Sequence, residues 1–248
     1  MQTYVIRKLA KRIVIACFIA AMCRGISIGQ ESSPFSTVGI GVKASLLGLG
    51  GELATPLSHG FNLRGGFNAF GYDRTFHKDG IGYDGRLHFR SGEAHLDWFP
   101  FHGSFHLSPG ALFYNGNQVA ATAAVPGGQT FTLNGVTYMS DASNPVGGAG
   151  KIAFKRSGPM LSVGFGNLVS RRHRFTIPIE IGAIYTGSPN MTLNLAGSAC
   201  DTGGANCSPI ASTPAIQSNI QAEQAKINKD MSAFKFYPVI SIGFGVRL

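Results

Sequence analysis

The residues whose chemistry most needs explaining are the charges embedded in otherwise apolar or glycine-rich stretches: Lys43, Glu52, Arg64, Glu93, His95, Asp97, Arg156, Glu180, Lys235 and Arg247. Only 13% of the 248 residues are charged, and 44% are hydrophobic. Ionised groups enclosed together must pair or keep water, because an isolated buried charge is costly. Two chemistries fit such a set. One is a structural salt-bridge network that fills a confined interior. The other is a polar path for a small zwitterion or cation, with Glu52, Glu93, Asp97 and Glu180 as transient partners for its ammonium groups.

Other reactive groupings point less far. In His106-Leu107-Ser108 an imidazole and a hydroxyl share one face of a strand, and with an acid to orient the ring they would suit a lipid-modifying hydrolase. The strand register turns both side chains inward, whereas a lipid substrate would be met on the outer face, so no catalytic residue is assigned. The seven histidines show no ligand spacing, and neither a metal nor a cofactor is expected. The glycine run GLGG at 48–51 lacks the strand-to-helix context of a nucleotide loop. Cys200 and Cys207, in CDTGGANC, are expected to close a local disulfide in an exported chain, with two free thiols as the alternative.

The elements that must position the embedded charges repeat with a period of two. Phe236, Pro238, Ile240, Ile242, Phe244, Val246 and Leu248 alternate with Lys235, Tyr237, Val239, Ser241, Gly243, Gly245 and Arg247. The same alternation runs through Phe175, Ile177, Ile179, Ile181, Ala183 and Tyr185, through Phe105 to Phe113, through Phe61, Leu63 and Phe67, and through Val38, Ile40 and Val42. Successive strand side chains point to opposite faces, so each run has one greasy face and one face of glycine, polar groups and charge. These runs are mostly longer than the five or six residues common in globular strands and suit tilted transmembrane strands.

Strands are expected near 37–45, 46–55, 61–74, 83–99, 104–118, 151–166, 173–187 and 233–248. Short joins (56–60, 100–103, 167–172) alternate with longer ones (74–82, 119–150, 187–233), apart from a tight first join near Ser45. Short periplasmic turns and long external loops distinguish an all-β, eight-stranded, antiparallel up-and-down transmembrane barrel. Leu87 and Phe89 have one parity and Ala94, Leu96 and Trp98 the other, which predicts a bulge near 90–92. Trp98, Phe99 and Phe101 fall where an interfacial aromatic girdle belongs. In the last long loop, Ile216, Ile220, Ile227 and Met231 fit one face of an amphipathic helix interrupted by Glu223 and Gln224. Such a helix could pack on neighbouring loop residues or form a lid over the barrel mouth.

The net charge of +9 is concentrated at the start of the chain. Arg7, Lys8, Lys11, Arg12 and Arg24 fall in the first thirty residues, leaving sixteen Lys and Arg against 12 Asp and Glu elsewhere. Residues 1–12 read as a basic n-region and 13–23 (IVIACFIAAMC) as an apolar stretch too short to span a bilayer core. With Ser27 and Gly29 at −3 and −1, a cleaved signal peptide at 1–29 and a barrel at 30–248 are expected; Cys17 and Cys23 leave with the signal. The charge is thus an export address followed by a nearly balanced lumen, and nucleic acid is not an expected partner.

RSGPMLSVGFGN (156–167), IGAIYTGSPNMTL (181–193) and FKFYPVISIGFGVRL (234–248), in this order, resemble the CarO-type outer-membrane proteins, a carbapenem-associated family also described as ornithine-uptake porins of Gram-negative bacteria. The likeness extends through LDWFPF (96–101) and FTLNGVTY (131–138). The resemblance implies an eight-stranded barrel in the cell outer membrane and passage of basic amino acids. It transfers no substrate-site residue by position. Leu248 stands where barrels of this class usually end in an aromatic residue read by the assembly machinery. The expected partners are outer-membrane lipid, that machinery through the terminal strand, and small solutes, with the chain a monomer. A structural or adhesive barrel acting through its external loops is the alternative function on the same fold.

Overall fold

Alternation of apolar residues with glycine and polar groups gives strands one lipid-compatible face and one face that tolerates close packing inside a narrow closed sheet. The computed structural model describes residues 34–248, and the expected signal peptide at 1–29 lies outside the described residues. The first strands are β1 (Gly39–Ser45), β2 (Gly48–Ser58), β3 (Phe61–Lys78), β4 (Ile81–Trp98) and β5 (Phe105–Asn115). Four shorter ones follow: β6 (Gln118–Val125), β7 (Thr130–Leu133), β8 (Val136–Ser140) and β9 (Val146–Ala153). Then come β10 (Gly158–Phe165), β11 (Phe175–Thr176), β12 (Ile179–Tyr185), β13 (Asn190–Ala196), β14 (Ser198–Cys200) and β15 (Ser208–Pro209). The helix α1 (Pro214–Met231) precedes the terminal strand β16 (Phe236–Arg247).

Antiparallel pairing runs β1–β2–β3–β4–β5–β10–β12–β16 and back to β1, closing an eight-stranded barrel in which β11 and β12 form one strand interrupted at Pro178. Closure leaves the membrane-level strands without an open edge, as backbone in hydrocarbon requires. The outward positions are large and apolar. Val42, Leu49, Leu161, Ile181 and Phe244 are 51–66% exposed, the apolar outer surface of a lipid-facing barrel.

One end of the barrel carries short turns. At the other, the sheet continues beyond the barrel. The expected long join at 74–82 is instead the top of one hairpin of two 18-residue strands whose turn is only Asp79-Gly80, both at positive φ (54° and 77°). Asp-Gly matches the twist of a two-residue hairpin turn, so pairing proceeds to the tip. The upper part of β4 leaves β5 and pairs with β6, after which β9 and β13 extend the sheet. A second small sheet has the order β15-β14-β8-β7.

The bulge lies on a different strand from the one expected. β4 stays in continuous register with β3, while against β5 it shifts between Gly92 and Glu93, where Phe113 is the extra residue. Phe113 and Tyr114 both face outward, which returns Asn115 to the interior. Gly92 makes this possible, because a Cβ there would stand 2.6 Å from the Phe113 ring. The parity change within β4 has a separate cause. Phe89 keeps the inward parity of Ser91, Glu93, His95 and Asp97, but the interior turns from charged to apolar at its level.

The break in the helical stripe is also functional in packing terms. Ile216 and Ile220 are buried with Ile81, Val125, Leu133 and Val146. Gln224 Oε1 accepts from the Leu193 N–H at 2.9 Å, and Asn228 bonds both the N–H and the C=O of Met191. Glu223 Oε2 accepts from the Asn134 N–H at 3.0 Å. Gln224 and Asn228 thus cap the otherwise open edge of β13, Glu223 holds the β7–β8 turn, and α1 packs on loop-derived structure, the first of the two expected alternatives. Replacing Gln224 and Asn228 together with alanine is expected to raise hydrogen exchange across Asn190–Ala196 by roughly tenfold or more, at about 0.5–1.5 kcal/mol per lost bond, without changing exchange in the barrel strands.

Candidate functional site

The inward parity of β1 to β5 and β12 collects the sequence's embedded charges into one layer. Arg64, on β3, sits at its centre. Nε donates to Asp97 Oδ2 at 2.9 Å, Nη1 to Glu52 Oε2 at 3.0 Å and Nη2 to Asp97 Oδ1 at 3.0 Å, while Nη2 also forms an ion pair with Glu180 Oε1 at 2.6 Å. The fork of a guanidinium suits this task, since one planar group can serve three carboxylates where an ammonium offers a point charge. Lys43 Nζ pairs with Glu93 and lies 3.4 Å from Glu52 Oε2. Both ring nitrogens of His106 face acceptors, Glu180 Oε1 at 3.1 Å and the Ser104 carbonyl at 3.3 Å. All of these groups are almost wholly buried.

Four carboxylates thus face one ammonium and one guanidinium, an excess of two negative charges before the imidazoles are counted. The layer is not fully satisfied. Among the described residues, Glu93 Oε2, both ring nitrogens of His95 and Asn68 Oδ1 are buried without a hydrogen-bond partner. Such groups need water or a ligand to avoid the cost of desolvation.

Ser108 and His106 do not form a nucleophile–base pair. The Ser108 hydroxyl donates to Asp97 Oδ1 at 2.6 Å, and the imidazole is engaged with Glu180. Both belong to the charged layer and are buried.

Two of the expected inward residues lie elsewhere, and a third, Arg247, keeps the inward parity but sits at the barrel end. Arg156 is exposed in the join before β10, and Lys235 is exposed just ahead of β16. Outside a paired ladder, parity no longer assigns a face. Arg247 ends β16 half-buried and donates to the Ser170 carbonyl at 2.8 Å, fastening a turn and standing apart from the charged layer. Cys200 and Cys207 are joined in a disulfide between β14 and β15. Asp141 lies within reach of both sulfurs, but disulfide sulfurs are poor metal ligands. The intervening Asp201 accepts backbone N–H groups from Ala205 and Gly203 and the Asn206 amide, which hold its carboxyl below the usual range.

Two apolar seals flank the charged layer, and sequence reading gave no sign of either. Towards the extended end, Leu47, Leu112, Met160, Ile184 and Val239 pack together with Tyr237. At the short-turn end, the turn after β10 folds back into the barrel, burying Leu168 and Val169 against Ala54. Leu168 fits because the strand positions facing it are glycines: a Cβ on Gly39 or Gly245 would collide with it, and one on Gly41 would crowd it. An apolar Leu-Val pair inside a short basic turn, opposite inward glycines, is the signal that could have revealed this seal. Beside each seal the interior has a cavity of about 10 Å³, room for a single water.

No protein-family model and no curated protein matches the chain. Two crystal structures of Acinetobacter baumannii proteins are similar to it. CarO matches at 22% identity with a TM-score of 0.55, covering 88% of this chain and 99% of that one. CarO2 matches at 19% identity with a TM-score of 0.56, covering 88% and 100%. The chain has a CarO-type fold, a closed eight-stranded antiparallel β-barrel.

Proposed function

We propose that the chain is a porin-type barrel of the outer membrane of a Gram-negative bacterium, passing small cationic solutes such as ornithine and other basic amino acids, and that the described conformation is its closed state. The observation that carries this reading is the acid excess of the buried layer around Arg64. Glu93 Oε2 and His95 Nε2 face each other at 3.8 Å without a hydrogen bond, leaving polar atoms that a passing ammonium group or its water could engage. Passage requires the two apolar seals to move and the ion pairs to exchange partners with the solute. The CarO-type fold supports the porin-type role, and a monomer suffices because the barrel closes on one chain.

Proteoliposomes holding the refolded protein should take up ornithine and lysine faster than glutamate and faster than empty vesicles. Glu93→Gln should slow ornithine uptake by about tenfold if an ion pair worth roughly 1.4 kcal/mol to the solute is lost. Equal uptake of ornithine and glutamate, or none of either, would overturn the proposal. A second reading, a structural or adhesive barrel acting through its long-loop end, is favoured by the water-sized cavities and by the built external sheets. It predicts no uptake at all.

A further inference from the structure

The short-turn end holds a feature that solute passage does not explain. A pocket of about 250 Å³ opens between the turns that follow β2, β4 and β10. Its walls carry the side chains of His59, His102, His173, Arg171 and Arg172, and no Asp or Glu lines it. His102 is held there by a positive φ of 52° in the β4–β5 turn, a conformation that histidine tolerates better than most bulky residues. Arg171 Nη1 lies 3.5 Å from His59 Nε2, so groups from two different turns converge on one space. Asn62, Asn167 and Ser170 add neutral hydrogen-bonding groups to the floor.

Charge is segregated along the barrel. The described acids are spent on Lys43, Arg64 and the histidines in the lumen, or lie on β3, β4, α1 and the loops of the extended end. The two guanidinium groups have no facing carboxylate in this pocket, so their charge is left for an anion to balance, and arginine forks match the oxygens of a phosphate group. The volume accommodates a phosphate with part of an organic substituent.

The geometry points to a binding site for a phosphate group at this end, held by Arg171 and Arg172 with His59, His102 and His173 around it. The phosphate is either a free phosphate or phosphate ester, or the headgroup of an anionic phospholipid in the adjoining leaflet. The pocket shares Asn167, Val169 and Ser170 with the turn that plugs the lumen, so an occupant braces that turn. The inference is independent of solute passage, since a barrel that transports nothing can hold the anion.

Calorimetric titration of the full-length refolded protein with inorganic phosphate in neutral detergent tests it. Saturable binding is expected, with a dissociation constant on the order of millimolar for a few charge-assisted hydrogen bonds. Arg171→Gln/Arg172→Gln should weaken it by about tenfold or more, while Lys151→Gln/Lys155→Gln, which removes the same charge elsewhere, should leave it unchanged. Heat-modifiable gel migration checks that each variant is folded. Absence of saturation, or equal weakening by both double variants, overturns the site. Repeating the titration in nanodiscs identifies the source. Loss of phosphate affinity in phosphatidylglycerol discs but not in phosphatidylcholine discs assigns the pocket to the lipid headgroup. Equal affinity in both assigns it to the free anion.

Discussion

Replacing Arg64 with leucine is expected to destabilise the barrel by about 3–5 kcal/mol, because it leaves buried carboxylates without their counter-charge. The guanidinium serves Glu52, Asp97 and Glu180 at once. Its loss therefore strands several acids within an almost wholly buried layer. Arg64→Lys should cost less than Arg64→Leu but more than a surface change, since it keeps the charge and loses the bidentate grip on Asp97. Combining Arg64→Leu with Asp97→Asn and Glu180→Gln should recover part of the stability, as removing both sides of a buried pair is cheaper than removing one. Urea unfolding in lipid vesicles reads all three. A loss below about 1 kcal/mol for Arg64→Leu, the range of an exposed pair, would mean that the layer is hydrated and its ion pairs are loose.

The second large effect concerns the seals. Leu168→Ala should cost about 2–5 kcal/mol as a buried large-to-small change and should leave ion conductance near the wild-type level. The reason is geometric: the apolar layer of Leu112, Ile184 and Val239 still closes the far side of the charged groups. The same holds in reverse for Leu112→Ala. Only the double variant opens both barriers, so its conductance in planar bilayers should greatly exceed the sum of the singles. If either single variant conducts as well as the double, the seals do not act in series and the barrel closes at one place only.

How much of this was legible in the sequence follows from where parity holds. Lys43, Glu52, Arg64, Glu93, Asp97 and Glu180 lie within paired strands, where a period of two fixes the face, and the barrel brings them together. Arg156 and Lys235 sit a residue or two outside the ladders, where alternation carries no direction. The bulge was legible as an irregularity but not as to strand, because an extra residue on β5 and a chemical change along β4 produce the same break in pattern. The hairpin tip at Asp79-Gly80 was hidden by polar composition, which reads as loop even where a ribbon continues beyond the membrane. The seals depend on which turn enters the lumen, a tertiary fact that strand alternation does not encode and that only the Leu168-Val169 pair in a basic turn hints at. Glu223 and Gln224 break the helix stripe because they bind backbone groups, the Asn134 N–H of the β7–β8 turn and the Leu193 N–H of β13.

The most direct test of the central claim, that an acid-rich and closed lumen passes small cations when it opens, is the reversal potential across a planar bilayer holding the refolded protein under a gradient of ornithine hydrochloride. Brief conductance steps with a reversal potential set by the ornithine cation, and a higher open probability in the Leu168→Ala/Leu112→Ala variant, are the predicted result. Steps that reverse at the chloride potential, or a bilayer that stays silent with both the wild type and the double variant, would contradict it.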